Sequence, residues 1–343
     1  MLKTALIADH RYLDHFAGRR HPERPERVKA MMEMAATLGR SSLHFHAPRE
    51  ATPDEIALCH EQAYIDAVER TAQIERFDFD PDTHTSAASF KTATLAAGGV
   101  LTAVEAVADG AAANAFAIVR PPGHHALPAR AMGFCFFNNI AIAAAYLVRT
   151  RGLRRVMIVD WDLHHGNGTQ EMFYDSPEVL YTSIHQYPFY PGSGAMHQMG
   201  TGRGEGYTVN VPIPAGFGDA EYLYIFDQVI VPLGRKFSPE FILISSGFDS
   251  HFRDPLGELC VTEEGFAAMA RRIKRLAAEC CDGKLVAALE GGYDLEALTG
   301  SGKAVIEELG REPDEPLTRP HESSRAIPLI ERELEELSDY WRF

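Results

Sequence analysis

Strand-length runs of almost wholly apolar residues recur along this chain between longer helical patterns, and that alternation leaves few folds open. The runs fall at residues 4–8, 115–119, 156–160, 179–184, 207–211, 241–245 and 285–289. They are rich in Val, Ile and Phe and lack the polar alternation of a half-exposed strand. Such runs suit a parallel sheet covered on both faces. Between them, residues 86–109, 138–149, 219–237 and 262–279 carry helical patterns, with Gly98-Gly99 a point where the first can kink. Thr52-Pro53-Asp54-Glu55 has the form of a capping box with Pro at the first helical position. The expected fold is α/β, a doubly wound parallel sheet with helices on both faces. No internal repeat, low-complexity linker or composition break divides the 343 residues, so one domain is expected, with residues 312–343 a peripheral, Glu-rich helical tail.

Composition narrows the function classes. Lys and Arg number 33 against 48 Asp and Glu, a formal net charge of −15. Phosphate contact needs a basic face, so nucleic acid is not an expected partner, whereas a cationic substrate is favoured at long range. The five cysteines include no CxxC pair. The first ten residues are interrupted by Asp9, unlike a signal peptide, and no apolar run is expected to cross a membrane. These features point to a cytoplasmic protein, and oligomerisation is left open.

The chemistry-bearing residues gather where the apolar runs end. Run 115–119 leads into Arg120-Pro-Pro-Gly-His124-His125, and run 156–160 into Asp160-Trp-Asp162-Leu-His164-His165-Gly-Asn167-Gly. The later runs end in Ser183-Ile184-His185, Ser246-Gly247-Phe248-Asp249 and Glu290-Gly291-Gly292-Tyr293. Parallel sheets bind ligands at the carboxyl edge of their strands. In an extended segment Asp160, Asp162 and His164 share one side, and Asp and His are zinc ligands. Asp249 is a natural further ligand. The competing reading is a buried hydrogen-bond network that only ties loops together. His124 and His125 form a second cluster with the chemistry of a general base, and the Tyr293 hydroxyl can donate to an oxyanion. Elsewhere the readings are bland. His44 and His46 alternate on a surface strand. Gly200 to Gly206 lacks the Lys-Ser/Thr of a phosphate-binding loop. His-Pro-Glu-Arg-Pro-Glu-Arg (21–27) reads as a helix start with no chemistry of its own.

Taken together the motifs resemble those of the zinc-dependent histone deacetylases, class II and the related bacterial deacetylase-like amidohydrolases. They are HPERPERV (21–28), CHEQAYIDAV (59–68), RPPGHHA (120–126), MGFCFFNN (132–139), VDWDLHHGNGTQ (159–170), YTSIHQ (181–186), YPGSG (190–194), GYTVNVP (206–212), SSGFDSHFRDPLGE (245–258) and EGGY (290–293). They run in the family's order to about residue 310. The resemblance implies the arginase/deacetylase fold, with a central parallel sheet of eight strands. It implies a catalytic zinc on Asp162, His164 and Asp249, tandem histidines His124 and His125, and Tyr293 as the carbonyl-polarising tyrosine. Asp160 would orient His124 and Asn167 would orient His125. A structural potassium would lie on Asp160, Asp162, Ser183 and the carbonyls of His164 and Ile184. A second would use carbonyls near Phe173, Ser176, Val179 and Tyr207. Gly133, Phe134, Tyr190 and Leu256 match the acyl-lysine tunnel, Tyr190 standing where the family often has Phe.

The implied reaction removes acetyl or acyl groups from lysine side chains. Water activated at the metal attacks, with His125 as base and then acid and Tyr293 as oxyanion donor. Other readings remain. Dimanganese ureohydrolases share the fold, but they typically carry Asp-x-Asp where this chain has Asp249-Ser250-His251. A non-catalytic binding module is opposed by the presence of every implied site residue. The alternative substrate is an acetylated polyamine or other small amine. Family members preferring polyamines carry a glutamate after the mouth Asp-Pro pair; here Asp254-Pro255 is followed by Leu256.

Overall fold

Eight parallel strands form the centre of the protein in a computed structural model that describes residues 4–39, 43–311, 323 and 325–342. The strands are β1 (Thr4–Ile7), β2 (Leu43–His46), β5 (Asn114–Ala117), β6 (Val156–Asp160), β7 (Val179–Gln186), β8 (Thr208–Ile213), β9 (Phe241–Ser246) and β10 (Leu285–Leu289). A short antiparallel hairpin, β3 (Phe77–Asp78) with β4 (His84–Thr85), stands apart. The sheet order is β2-β1-β5-β10-β9-β6-β7-β8. Every residue of β1, β5, β6, β7, β9 and β10 is buried, as apolar runs covered on both faces require. The edge strand β2 carries the exposed His44, as expected of a surface strand.

The helices form where the patterns place them, with side-chain caps that explain their starts. Asn138 accepts from Ala141 N–H ahead of Asn139–Arg149, and Thr262 accepts from Gly265 N–H ahead of Glu263–Cys280. Thr52 and Glu55 complete the reciprocal capping box. The stretch 219–237 is continuous but contains a π-helical turn, Phe226–Ile230.

Two expectations need correction. Ser89–Ala108 runs unbroken through Gly98 and Gly99. The glycines are there for contact: a Cβ on Gly98 would strike the Arg49 and Ala51 backbone, and one on Gly99 the Tyr12 hydroxyl. This helix is also long and apolar enough to cross a membrane, contrary to the reading that no such run exists. Most of it is buried against β1, β5 and Asn139–Arg149, which is why it is apolar on nearly every side. The tail contributes a helix, Ile327–Leu337, followed by Trp341, whose Nε1–H donates to Gly206 O at 2.8 Å. Residues 312–322, 324 and 343 of the expected tail lie outside the described residues.

Beneath the sheet edge lies a buried ion cluster. Glu23 Oε1 accepts from Arg120 Nε at 2.7 Å and from Arg27 Nη1 at 3.0 Å, and Glu23 Oε2 is 3.6 Å from His15 Nε2. Burial would raise the Glu23 carboxyl, but the charges of Arg120 and Arg27 outweigh it and hold it at about 2. Burial, helped by Arg120, depresses His15 to about 3. Both groups bind protons more readily unfolded than folded, so their stabilising contribution is complete at neutral pH. It declines below about 6.5 for His15 and below about 4.5 for Glu23. Glu23→Gln should therefore cost about 3 kcal/mol at pH 7 by leaving two buried guanidinium groups uncompensated. In urea unfolding, the gap from wild type should narrow as the pH falls from 5 toward 3. A gap constant with pH would remove Glu23 from the acid response.

Candidate metal centre and active site

The five polar strand ends meet because β5, β10, β9, β6 and β7 are consecutive in the sheet. Register sets Asp160 beside Ser183 on one side and Ser245 on the other. Just beyond, Asp162, His164 and Asp249 are all buried, and one donor atom from each lies within 4.8 Å of the others. His164 Nδ1 is 3.2 Å from Asp162 Oδ1 and 3.0 Å from Asp249 Oδ2. The other carboxylate oxygens are fixed by backbone: Gly291 N–H donates to Asp162 Oδ2 at 2.8 Å, and Leu163 N–H to Asp249 Oδ1 at 2.9 Å. A Cβ on Gly291 would strike both carboxylates, so only glycine admits this approach.

This donor set fits a divalent cation. Burial, and then the charge on Asp162, push the Asp249 carboxyl up to about 7. Two buried carboxylates side by side repel, and a cation between them removes the conflict. Two carboxylates and one imidazole are also a three-ligand set of the kind that leaves a catalytic zinc an open position. Asp160, which alternation put on the same side as Asp162 and His164, turns elsewhere. Its Oδ2 lies 3.1 Å from His124 Nδ1 and accepts from the Tyr181 hydroxyl at 3.1 Å.

The tandem histidines sit in unlike surroundings. His124 is buried, and although burial opposes its charge, Asp162 and Asp160 raise its pKa to about 10. His125 Nδ1 is 2.8 Å from Asn167 Oδ1, a neutral partner. Burial, then the positive neighbours His124 and His164, lower the His125 pKa well below its ordinary value. His125 is thus a neutral imidazole whose Nδ1–H donates to the amide oxygen, leaving Nε2 as acceptor. The turn carrying both histidines is pinned by Glu290, whose Oε2 accepts from Gly123 N–H at 2.6 Å and His124 N–H at 3.2 Å.

Tyr293 is buried, and the Arg27 guanidinium lies 4.8 Å from its ring centroid. Arg27 Nε donates to Gly292 O at 2.6 Å and its Nη2 donates to Glu290 O. The helix start at 21–27, read as having no chemistry, therefore reaches the tyrosine, a cation–π arrangement. Nothing in the spacing of that segment signals this; the contact joins the first α-helix to the loop after the last strand. The contacts of Tyr181 with Asp160 and of Asp254 with Tyr293 likewise have no signal in the sequence. The Tyr293 N–H donates to Asp254 Oδ2 at 2.6 Å.

Of the residues expected to line a tunnel, Phe134 lies edge-on to Tyr293 with ring centroids 5.9 Å apart. Tyr190 is edge-on to His125 at 5.2 Å and 39% exposed, so it stands at the open side. Phe134 has φ 69°, a left-handed conformation costing about 1–2 kcal/mol outside glycine. Its N–H is held by Thr83 Oγ1 at 3.1 Å. Gly133, with φ 56°, passes directly against the His125 ring. Leu256 is partly buried, and its N–H donates to Asp254 Oδ1 at 3.0 Å.

Of the residues named for potassium, Ser183 Oγ is 2.9 Å from His185 Nδ1. In the second set, Phe173 O accepts from Ser176 N–H at 3.0 Å and Tyr207 O from Tyr181 N–H at 2.9 Å. Phe173, Ser176 and Val179 line a surface recess of about 480 Å³.

Residues 21–309 match the family model described as a histone deacetylase domain. A probable deacetylase of Archaeoglobus fulgidus is 43% identical over 296 residues, covering 85% of this chain and 82% of the relative. Histone deacetylase 15 of Arabidopsis thaliana is 42% identical, covering 92% of this chain and 58% of the relative. For histone deacetylase HDA1 of Saccharomyces cerevisiae the figures are 38%, 94% and 49%. The chain thus spans most of the archaeal relative but only about half of the plant and yeast ones. The crystal structure of the HDA15 HD domain superposes with a TM-score of 0.91 at 39% identity, covering 99% of this chain and 95% of that one.

Proposed function

The chain belongs to the histone deacetylase family, and from that membership we propose that it is a zinc-dependent amidohydrolase removing acetyl or acyl groups from Nε-acyl-lysine side chains. The observation that carries this reading is the buried Asp162, His164 and Asp249 donor set with a neutral imidazole, His125, beside it, their His164 and His125 ring centroids 5.9 Å apart. Asp162, His164 and Asp249 would hold the zinc. Bound there, zinc would supply a Lewis acid for the amide carbonyl and lower the pKa of a water molecule.

The protein's own residues account for the proton transfers. His125, fixed through Nδ1 by Asn167, accepts a proton from the attacking water and returns it to the leaving amine. His124, held by Asp160, keeps a positive charge next to the carboxylates and so favours His125 as the neutral partner. The Tyr293 hydroxyl donates to the developing oxyanion. Phe134 and Tyr190 flank the methylene stem of the substrate and exclude water, which strengthens each polar contact inside. Potassium at Asp160, Asp162, Ser183 and the His164 and Ile184 carbonyls, and at the carbonyls near Phe173, Ser176, Val179 and Tyr207, belongs to the same proposal. In the first set it would offset the carboxylate charge of Asp160 and Asp162 at the end of β6.

Leu256 favours acyl-lysine over acetylpolyamine. A leucine offers an apolar surface to the lysine stem and no charge for a distal ammonium. The net charge of −15 acts on polyamines only at long range and is screened over about 8 Å at physiological salt. Acetyl-lysine peptides should have a higher kcat/KM than acetylputrescine or acetylspermidine. Leu256→Glu should move the ratio toward the polyamines by about fivefold or more, the factor of a single charge contact of about 1 kcal/mol. Side-by-side kinetics test both statements. A wild type that prefers acetylspermidine would replace the lysine reading with the polyamine one.

A further inference from the structure

Tyr293 follows two glycines, Gly291 and Gly292, the second at φ 118°, so its own backbone does little to set where its side chain stands. Something else must hold it. The carboxylate that does so comes from another loop. Asp254 is 5% exposed; its Oδ2 accepts from Tyr293 N–H at 2.6 Å and from Asp294 N–H at 3.3 Å. Its Oδ1 accepts from Leu256 N–H at 3.0 Å. The Asp254 N–H in turn donates to His251 O at 2.9 Å, two residues beyond the donor Asp249. One buried carboxylate therefore joins the loop that carries Leu256 to the residue that carries the hydroxyl. Burial raises the Asp254 carboxyl above its ordinary range, and the backbone N–H groups of Tyr293, Leu256 and Asp294 oppose that shift by favouring the ionised form.

Resting on the reading of Tyr293 as oxyanion donor, we propose that Asp254 is a positioning residue for Tyr293, tying its placement to that of the Leu256 loop. Asp254 makes no hydrogen bond to the donor set, and it reaches the substrate space only through backbone, that of Tyr293 and that of Leu256. A displacement of about 1 Å at a catalytic group can cost on the order of 100-fold in rate.

The test is a double-mutant cycle on the zinc-loaded protein with an acetyl-lysine peptide. Asp254→Ala should lower kcat about 10- to 100-fold, change KM by less than about threefold and leave metal content intact. Asp254→Asn keeps one acceptor oxygen, which can still serve Tyr293 and Asp294, and should lose no more than about threefold in kcat. In a Tyr293→Phe background, Asp254→Ala should have almost no further effect, because the hydroxyl it positions is gone. If Asp254→Ala does not fold, Asp254→Asn carries the cycle, and its smaller loss must vanish in the same background. An equal loss with and without the Tyr293 hydroxyl, or an unchanged kcat in Asp254→Ala, overturns the positioning role. A Tyr293→Phe protein with normal kcat would instead overturn the reading of Tyr293 itself, and with it this proposal.

Discussion

Asp249→Ala should yield a folded protein that binds no zinc and hydrolyses no amide. Three donors hold the centre, two of them carboxylates whose negative charge makes the buried site attractive to a divalent cation. Removing Asp249 leaves two donors and also strips Leu163 N–H of its acceptor. Loss of a partner beyond the ligands typically costs 10–100-fold in affinity or activity, so loss of a ligand should exceed that. Asp162→Ala should behave alike and also free Gly291 N–H. Two readouts separate metal from fold. Metal analysis should find zinc in the wild type and none in the variants. Added zinc should raise the thermal midpoint of metal-stripped wild type, by mass action on the folded state, and leave the variants unmoved. Full metal occupancy in Asp249→Ala would show that the ligand is wrongly assigned.

Tyr293→Phe should retain its metal and lose about 2–4 kcal/mol of transition-state stabilisation, the range for a single oxyanion donor. In rate terms that is a fall in kcat of roughly 30- to 1,000-fold. KM should change little, because the contact strengthens only as charge develops on the carbonyl oxygen. The ring stays, so the packing against Phe134 and beneath Arg27 survives and the protein should fold as wild type. Arg27→Met, removing the guanidinium while keeping bulk, should impair kcat too, though with a cost in stability through Glu23 that Tyr293→Phe does not share. An undiminished kcat in Tyr293→Phe would remove the hydroxyl from the mechanism.

The sheet was legible because its strands are buried on both faces. Val156–Asp160 and Leu285–Leu289 begin and end where their apolar runs do. β7 runs on to Gln186, past the last apolar residue, because pairing with β8 continues through His185 and Gln186. Gln62–Arg70 and Leu295–Leu309 were not marked as helices. Gln62–Arg70 is short, and Leu295–Leu309 carries Gly300-Ser301-Gly302, residues of low helix propensity that mask its pattern.

Within the site, the sequence by itself determined the residues whose chemistry is carried by their type and their place at a strand end. Asp162, His164, Asp249, the histidine pair and Tyr293 all follow apolar runs, and a parallel sheet brings such ends to one edge. Tertiary structure alone decided the partners. Asp160 and Asp162 alternate on one segment, yet one turns to His124 and the other to His164 and Asp249. Arg27 reaches backbone at Glu290 and Gly292, and Asp254 reaches Tyr293, across stretches of chain with no common period. Periodicity reports which face of its own element a side chain occupies. It carries no information about the backbone groups that a distant loop presents to that side chain, and those groups are what place the tyrosine.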